Sequence, residues 1–338
     1  MTTLVQPVND TKDPIVRDDL ALNAPQKPLI MGGGIVGLMV LAYLLATQHI
    51  SQSLLLGIGL LLGYTLFHAR FGFTSAFRRM MSVGNGQAMR SHMLMLAVAV
   101  TLFAPILAYG TTLFGGPVAG YVAPLGVSLV VGAFVFGIGM QLGGGCASGT
   151  LYAVGGGRSV MFITFIFFIV GATIGAYHLP FWTEEMPAYA PFSLATSTGL
   201  GYTGAWLVSL AIFGIIAWVT LVVEKKRNAP KMAPVPSESG WKRIFRGSWP
   251  LFAAAIVLAL LNGLTLLTRG QPWGITSAFT LWGSKIASGF GMDVASWGYW
   301  QGANAAALEA SIFADSTTVL NIGIIIGAFI ASAAGGLF

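Results

Sequence analysis

The stretch LIMGGGIVGLMVLAYLLATQ, Leu29–Gln48, contains no charged residue. An α-helix needs about 20 mostly apolar residues to cross the hydrocarbon core of a bilayer. Charged residues make up 8% of the 338-residue chain, whereas soluble proteins average about 25%. Further apolar runs occur at Ser51–Phe67, Ser91–Tyr109, Leu125–Leu142, Val160–Ala176, Ala205–Val223, Pro250–Leu267 and Thr317–Ala334. The sequence therefore predicts an all-α polytopic membrane protein with about eight spanning helices plus short broken or re-entrant helices.

Lysine and arginine residues alternate between the predicted connections. Those after the second, fourth and sixth helices contain them, whereas residues 49–50, 110–124 and 181–202 contain neither. Because these cations are enriched on the cytoplasmic side, the pattern predicts a multi-pass protein with a cytoplasmic N-terminus. Residues 1–28 are polar and lack the cationic start and apolar core of a secretory signal, so we predict a cytoplasmic tail there.

A short repeat divides the chain into two halves. GFTSAF at Gly72–Phe77 returns as GITSAF at Gly274–Phe279, and each copy follows a predicted spanning helix. The alternation of cations places the two copies on opposite sides of the membrane, as expected for inverted-repeat halves with a transport site between them. The predicted halves are residues 29–223, which include the loop around Cys146, and residues 249–338; residues 224–248 form a basic cytoplasmic linker.

The second predicted half is shorter than the first. After GITSAF it contains one clear spanning helix, Thr317–Ala334, which corresponds in order to Ser91–Tyr109. No counterpart of Leu125–Gly157 follows. Because a two-fold site needs a broken segment from each half, the second half is expected to be incomplete. The sequence then predicts either a shortened form of a longer protein or a second chain that fills the vacancy.

Glycine clusters flank the single cysteine in GGGCASGTLYAVGGG, Gly143–Gly157. Glycine destabilises a helix by about 1 kcal/mol relative to alanine, so a break in the helix is predicted here. Residues Ala147–Val154 are then long enough for a half-helix, with Ser148 or Thr150 as its cap. The free N–H groups at such a helix start attract anions. A nucleotide-binding loop is excluded, because no strand precedes the glycines and no lysine follows them.

Three segments resemble the YeeE/YedE sulfur-transport family. They are HARFGFTSAFRR at His68–Arg79, GIGMQLGGGCASGTLYAVGGG at Gly137–Gly157 and RGQPWGITSAFTLWG at Arg269–Gly283. The resemblance covers most of residues 29–338. It implies an inner-membrane protein for uptake of thiosulfate or related compounds, shaped like an hourglass, with cysteine-bearing loops at the constriction. Members of that family often have further cysteines, whereas here Thr74 and Thr276 occupy the broken segments beside the single Cys146.

The predicted substrate-binding residues lie in the cysteine loop and in the two TSAF copies. They are Cys146, Gly144, Gly145, Ala147, Ser148, Thr74, Ser75, Thr276 and Ser277. No catalytic residue, cofactor or metal site is predicted, because neither HExxH nor cysteine-pair spacing occurs. The expected partners are thiosulfate or a similar sulfur anion, the lipid bilayer and a cytoplasmic sulfur-accepting protein. No nucleic acid is expected.

The thiol of Cys146 is compatible with more than one role. A neutral S–H group can donate a weak hydrogen bond to a passing anion, which favours a transporter over an enzyme. A thiolate could instead accept sulfur as a persulfide, as in a membrane-embedded sulfurtransferase. A third alternative is a membrane partner subunit that does not itself transport.

Several polar residues near helix ends have two interpretations. Arg78 either steers anions towards the first broken segment or sets the topology. Gln141 either lines a pore or bonds to a neighbouring helix. His68, His92 and His178 are predicted to lie at the membrane interface.

Overall fold

The computed structural model describes residues 22–232, 237–238 and 240–338, so most of the predicted tail lies outside the described residues. Within that part, eight helices are long and apolar enough to span a membrane, which confirms the predicted class. The helices are α1 Lys27–Thr47, α2 Ile50–Ala69, α3 Phe73–Val83, α4 Gln87–Tyr109, α5 Val127–Leu142, α6 Ala147–Gly155, α7 Ser159–Pro180, α8 Gly201–Lys226, α9 Lys242–Phe245, α10 Leu251–Arg269, α11 Thr276–Gly289, α12 Ala305–Glu309 and α13 Ser316–Ala334. A two-residue strand at Leu125–Gly126 pairs antiparallel with Ala188–Tyr189.

Helix α2 lies at the centre of the described core, packed against α10 and α13. It runs antiparallel to α10, because the Trp249 N–H group, just before α10, donates to the His68 carbonyl near the end of α2 (3.0 Å). It runs parallel to α13, because Gln52 at the start of α2 donates to the Ala314 carbonyl just before α13 (2.8 Å). The corresponding helices of the two halves, α2 and α10, therefore run in opposite directions, whereas α2 and α13 run in the same direction.

The same packing is repeated with the halves exchanged. Helix α10 packs on α4 as α2 packs on α13, and α8 packs on α4 as α1 packs on α13. Each of the last two pairs is antiparallel: Arg90 near the start of α4 is paired with Glu224 near the end of α8 (2.5 Å), and Gln26 at the start of α1 bonds to Ala333 (3.0 Å). Helices α1–α4 thus correspond to α8, α10, α11 and α13 in the inverted sense.

Both TSAF copies begin a helix after the same change of chain direction. Helix α2 ends at Ala69, and Arg70 follows in the left-handed conformation (φ 49°). Helix α10 ends at Arg269, and Gly270 follows with φ 77°. A left-handed residue terminates a helix by turning the chain away from its axis. The repeated sequence therefore marks a repeated break between a spanning helix and the shorter helix after it.

Glycines allow α2 and α13 to approach until their backbones touch. A Cβ atom built on Gly59 would lie 2.5 Å from the Leu320 carbonyl oxygen, and one on Gly323 would lie 2.8 Å from the Gly59 Cα atom. One turn further on, Gly63 and Gly327 are equally close to the opposite backbone. Small residues spaced four apart are typical of such close helix pairs in membranes. This contact fixes α13, on which α6 packs.

Two of the histidines predicted at the interface, His68 and His92, are covered by protein, whereas a third, His178, is exposed. His68 stacks on Trp249 and its Nδ1 atom lies 2.8 Å from the Gly247 carbonyl oxygen. His92 packs against Phe71, 4.2 Å between ring centroids. An imidazole can be buried once one nitrogen is bonded and its faces meet aromatic rings. Their position relative to the membrane interface stays a prediction.

Helix α8 continues to Lys226, beyond the predicted end of the first half at residue 223. Its last turn is stabilised by Glu224, which accepts from Arg90 (2.5 Å) and from the Gly86 N–H group (3.1 Å). Within the predicted linker, the structure contains the short helix α9. The basic segment is thus more structured at both ends than its Pro and Ser content indicated.

The polar segment after α11 is held by Lys285. Its Nζ atom donates to the Leu308 and Ala310 carbonyl oxygens at 2.6 and 2.8 Å. We expect Lys285→Met to destabilise residues 290–315 by roughly 2 kcal/mol, because hydrogen bonds from a charged group are lost while the apolar stem is kept. The measurement is limited proteolysis of the detergent-solubilised protein. Lys231→Met, which changes an exposed lysine at 231, is the control; equal cleavage of the two variants would contradict the prediction.

Candidate functional site

The cysteine loop joins two helices that do not form one continuous rod. Helix α5 ends at Leu142, residues 143–146 break the helix, and α6 begins at Ala147. Gly144 has φ 71°, a conformation that side chains other than glycine rarely adopt. Cys146 is the extended residue immediately before α6. The predicted half-helix Ala147–Val154 is therefore present, one residue longer.

The start of α6 lies well inside the span of the neighbouring helices. The end of α6 is close to the end of α13, since Ser332 donates to the Gly156 carbonyl (3.3 Å). With a rise of about 1.5 Å per residue, nine residues of α6 place Cys146 roughly 14 Å further along. Thr164, in the second turn of α7, donates to the Gly143 carbonyl (3.3 Å). Broken backbone is thus placed at membrane depth, where it must be covered by protein or line a cavity.

The thiol of Cys146 lies over the first turn of α6. Its Sγ atom is 3.5 Å from the Ser148 hydroxyl oxygen. A Cβ atom built on Gly149 would be 3.2 Å from Sγ. Cys146 is only 7% exposed, and it lines the cavity beside the loop. Gly149 keeps that first turn open for the sulfur atom.

Among the described residues, no side chain caps the first turn of α6. Ser148 and Thr150 were predicted as candidate caps, and this prediction was wrong. Thr150 instead donates back to the Cys146 carbonyl (3.1 Å), one turn earlier, as hydroxyl side chains inside helices commonly do. The first N–H groups of a helix have no intrahelical acceptor. At α6 they carry the positive end of the helix dipole close to the thiol.

A cavity of about 340 Å³ adjoins the thiol between α5, the cysteine loop and α7. Its walls are mainly aromatic and aliphatic, with polar atoms contributed by the glycine loop, the cysteine and one threonine. The lining consists of Phe136, Gly139, Met140, Gly143, Gly145, Cys146, Thr164, Phe167 and Phe168. The volume suits a small anion, and the apolar walls concentrate recognition on the few polar groups.

Gly144 and Gly145 have different roles in the loop. Gly145 lines the cavity, whereas Gly144 has the positive φ that turns the chain. Cβ atoms built on Gly144 and Gly145 would lie 3.5 and 3.3 Å from the terminal methyl carbon of Met161 on α7. Because that carbon is the end of a flexible side chain, it could move aside without displacing α7.

The first TSAF copy lies near the end of α5. Gln141 donates to the Thr74 carbonyl (3.4 Å) and accepts from Arg78 Nε (3.3 Å). Gln141 and Arg78 thus bond α5 to α3, which favours the helix-bonding interpretation of Gln141. Thr74 is 3% exposed, and its hydroxyl has no hydrogen-bond partner among the described residues. Ser75 donates to the Gly72 carbonyl (2.9 Å) at the start of α3.

The second TSAF copy lies elsewhere, at the start of α13. The Ser277 hydroxyl is 3.2 Å from the Thr317 hydroxyl, which also accepts from Arg269 (3.1 Å). Thr276 accepts from Thr280 through its carbonyl (3.3 Å). Helix α6 instead meets α13 at Ile325 and Ala328, beside Gly155. Thr317 and Ile325 are eight residues apart, about 12 Å along the helix, so the second TSAF copy and the end of α6 contact α13 at different levels.

The surroundings of the thiol provide no general base within the described residues. The Sγ atom has one hydrogen-bonding neighbour there, the Ser148 hydroxyl. In the same part of the chain, no group of three His, Cys, Asp or Glu side chains could hold a metal ion. A nucleophilic cysteine needs a base or a strongly electropositive site to become a thiolate. Of these two features, the described residues provide the positive helix start of α6 but no base bonded to Sγ.

The chain is similar to proteins of a known family and to two named relatives. The family described as Sulphur transport matches residues 68–338, which include all three broken segments. The chain belongs to the Sulphur transport family. Two curated relatives are each named Thiosulfate transporter TsuA. The Escherichia coli K12 protein is 28% identical over 208 residues, which are 60% of this chain and 56% of that protein.

The second relative, from Spirochaeta thermophila, is 26% identical over 236 residues, which are 64% of each protein. This Sulphur transport family chain therefore spans less than two thirds of the length of the relatives it matches. The matched family region begins at His68, so it leaves out α1 and most of α2.

Sequence reasoning missed several residues of the site in this Sulphur transport family member. Phe168 lines the cavity from two turns along α7, and Gly149 leaves space for the thiol. Neither stands in the glycine triplets that marked the loop. A signal was present for Gly149 alone, since a glycine inside a short helix usually has a packing reason. Phe168 is one aromatic residue among many in an apolar run and gave no signal.

Proposed function

We propose that this chain carries thiosulfate or a closely related sulfur anion across the inner membrane. The observation that carries the proposal is the Cys146 thiol at the uncapped start of α6, inside the span and beside a cavity of about 340 Å³. A sulfur anion there meets N–H groups, the positive end of a helix and a neutral thiol, all of which favour negative charge without holding it tightly. The names of the two relatives support the choice of thiosulfate.

In this proposal the thiol acts as a hydrogen-bond donor and the cysteine is not modified. The S–H group donates to the terminal sulfur or an oxygen of the anion, and the Ser148 hydroxyl is a second donor 3.5 Å from Sγ. Weak contacts permit release as well as capture, which conduction requires. The alternative of a sulfurtransferase would depend on the positive start of α6 to favour the thiolate, because no carboxylate or imidazole among the described residues bonds to Sγ.

The proposal includes the two inverted halves and the predicted tail and linker. Residues 29–223 and 249–338 would provide the two sides of the pathway, with residues 1–28 and 224–248 in the cytoplasm. The broken segments that begin at Thr74 and Thr276 would line opposite parts of the route. A cytoplasmic protein that accepts the imported sulfur is the expected partner.

The test is uptake of radiolabelled thiosulfate into proteoliposomes that contain the purified chain. We expect uptake above protein-free vesicles, and competition by unlabelled thiosulfate that is stronger than competition by sulfate or selenite. Equal inhibition by all three anions would contradict selection for thiosulfate. Absence of uptake by folded, correctly inserted protein would overturn the proposal for this chain.

The proposed orientation gives a separate prediction. Reporters fused within the loops at Gly115 and at Lys231 are expected on opposite sides of the membrane, because one loop has no cation and the other is rich in Lys and Arg. The measurement uses an alkaline phosphatase fusion, active outside the cytoplasm, and a green fluorescent protein fusion, fluorescent inside it. We expect phosphatase activity at Gly115 and fluorescence at Lys231. The same reporter active at both positions would contradict the proposed topology.

A further inference from the structure

A second cavity lies where α10 ends, at the membrane face opposite α9. It has a volume of about 490 Å³, and several of the residues that line it are polar. Residues from the start of α2, the end of α10 and the start of α13 meet there, among them Gln52, Thr268, Arg269, Gln271 and Ser316. Unlike the cavity beside the cysteine, this one contains a cation.

Arg269 has no acidic partner in the part of the chain that the structure describes. The two ion pairs there are Arg90–Glu224 and Arg246–Glu238. Arg269 donates instead to two neutral oxygens, the Thr317 hydroxyl (3.1 Å) and the Gln271 side-chain carbonyl (3.3 Å). An arginine carries more N–H donors than these two bonds use. Asp315 is close enough for its charge to act on Arg269 but does not contact it, so the unused donors can bind an anion in the adjoining space.

Asp315, the carboxylate whose charge acts on Arg269, is hydrogen-bonded to a different residue. Asp315 Oδ2 accepts from the Thr318 N–H group and from the Thr318 hydroxyl, both at 2.7 Å. These bonds cap the start of α13. The carboxylate is therefore directed to its own helix, and the described side chains provide no ion pair between Asp315 and Arg269.

An arginine also lies near a cavity on the opposite face, at the end of α2. Arg70 follows the last residue of α2, whereas Arg269 is the last residue of α10. Arg70 lines a small cavity with Phe67, His68 and Ala331, near the end of α13. The two arginines are similar in their position near a helix end, but the register of the TSAF copies does not align them with each other.

We propose that Arg269 makes the cavity at the end of α10 a binding site for a small divalent oxyanion, separate from the cysteine cavity. The guanidinium would bind two oxygens of the anion, with Ser316 and the Gln271 amide as further donors. The further role of this site, capture of the anion before it reaches Cys146, rests on the proposed function.

The binding test uses calorimetric titration of sodium thiosulfate into detergent-solubilised Cys146→Ala protein, which removes the contribution of the thiol. We expect binding that weakens as salt rises, because the site depends on charge. Adding Arg269→Gln should weaken binding by about tenfold, because charged hydrogen bonds are lost. Lys231→Gln, which removes one positive charge far along the chain at an exposed residue, should leave binding unchanged.

A second variant guards against misfolding of Arg269→Gln. Ser316→Asp places a carboxylate at the first residue of α13, where an acidic side chain is compatible with the helix dipole. That carboxylate should pair with Arg269 and abolish thiosulfate binding while the melting temperature is kept. The proposal is overturned if Cys146→Ala protein binds no thiosulfate, or if folded Arg269→Gln and Ser316→Asp bind it as the parent does.

Uptake measurements separate this site from the proposed function. Arg269→Gln should raise the thiosulfate concentration for half-maximal uptake about tenfold and change the maximal rate less, because capture is impaired rather than passage. If thiosulfate binding depends on Arg269 but the chain shows no uptake, the anion site is supported and the proposed transport is wrong. If Arg269→Gln shows parental uptake and parental binding, transport is supported and the proposed anion site is wrong.

Discussion

Cys146→Ala is expected to reduce thiosulfate uptake by at least about tenfold, which corresponds to the loss of one hydrogen bond to a charged group. Alanine removes the only side-chain donor at the residue before α6 and leaves the backbone unchanged. Cys146 is 7% exposed and lines the cavity together with Phe136, Phe167 and Phe168. With aromatic walls on those sides, few other groups can replace the thiol. The measurement is the initial rate of labelled thiosulfate uptake into proteoliposomes with equal amounts of inserted protein.

Cys146→Ser distinguishes the two roles of the thiol. A hydroxyl also donates a hydrogen bond, so the serine variant should retain part of the uptake if the thiol acts only as a donor. If the cysteine accepts sulfur covalently, the serine variant should be as inactive as alanine, because a hydroxyl at this site cannot form a persulfide. Mass spectrometry of the parent protein after exposure to thiosulfate would then find one additional sulfur atom on Cys146.

The control for these variants removes a small polar atom elsewhere in the membrane. Ser209 in α8 donates only to the Ala205 carbonyl one turn earlier (2.8 Å). Ser209→Ala should transport thiosulfate at the parental rate. Parental uptake by both Cys146→Ala and Cys146→Ser would instead show that Cys146 is only a small packed residue, and the proposed role of the thiol would be wrong.

The fold could be predicted from the sequence because a bilayer restricts what a spanning segment can be. Only long apolar helices satisfy their backbone in hydrocarbon, and the eight apolar runs correspond to eight spanning helices. The repeat could also be recognised from the sequence, because a break after a helix needs the same kind of residues in each half. Gly72 and Gly274 both precede the short helices at the corresponding positions.

The site was less predictable, because its geometry depends on which helices surround each copy of the repeat. Thr74 lies near α5 through Gln141, whereas Ser277 bonds to Thr317 at the start of α13. The two copies share the sequence TSAF but contact different helices. The burial of His92 has the same origin: aromatic side chains from α3 and the preceding turn cover the ring, and those contacts join residues about 20 positions apart in the chain.

Gly327→Leu is expected to destabilise the protein by roughly 3 kcal/mol or more, the upper end of what overpacking produces. A Cβ atom on Gly327 would overlap the backbone carbonyl of Leu60 in α2, and one on Gly63 would overlap that of Ile324 in α13. Backbone atoms cannot move aside as the end of a side chain can. The two helices would have to separate, and every contact along their central seam would weaken.

The same variant is expected to abolish uptake even where some folded protein remains. Helix α6 packs on α13 just beside this seam, with Gly155 against the Ile325 carbonyl and Ala328. Displacement of α13 by the bulkier side chain in Gly327→Leu would therefore move the half-helix that carries Cys146 at its start. Misplacing the donor by even about 1 Å is enough to impair a site that depends on direct hydrogen bonds.

The measurements are the melting temperature in detergent and the uptake rate for Gly327→Ala, Gly327→Val and Gly327→Leu. Both should fall in that order, because the overlap grows with side-chain size. Gly34→Leu in α1 is the matched control, since a Cβ atom there would meet no heavy atom within 4 Å; it adds the same side chain to a lipid-facing position and should melt with the parent. If Gly327→Leu also has the melting temperature of the parent protein, the contact between α2 and α13 is not as tight as described above. A loss of uptake without a loss of stability would then place the effect of Gly327 on α6 alone, through the helix on which Cys146 depends.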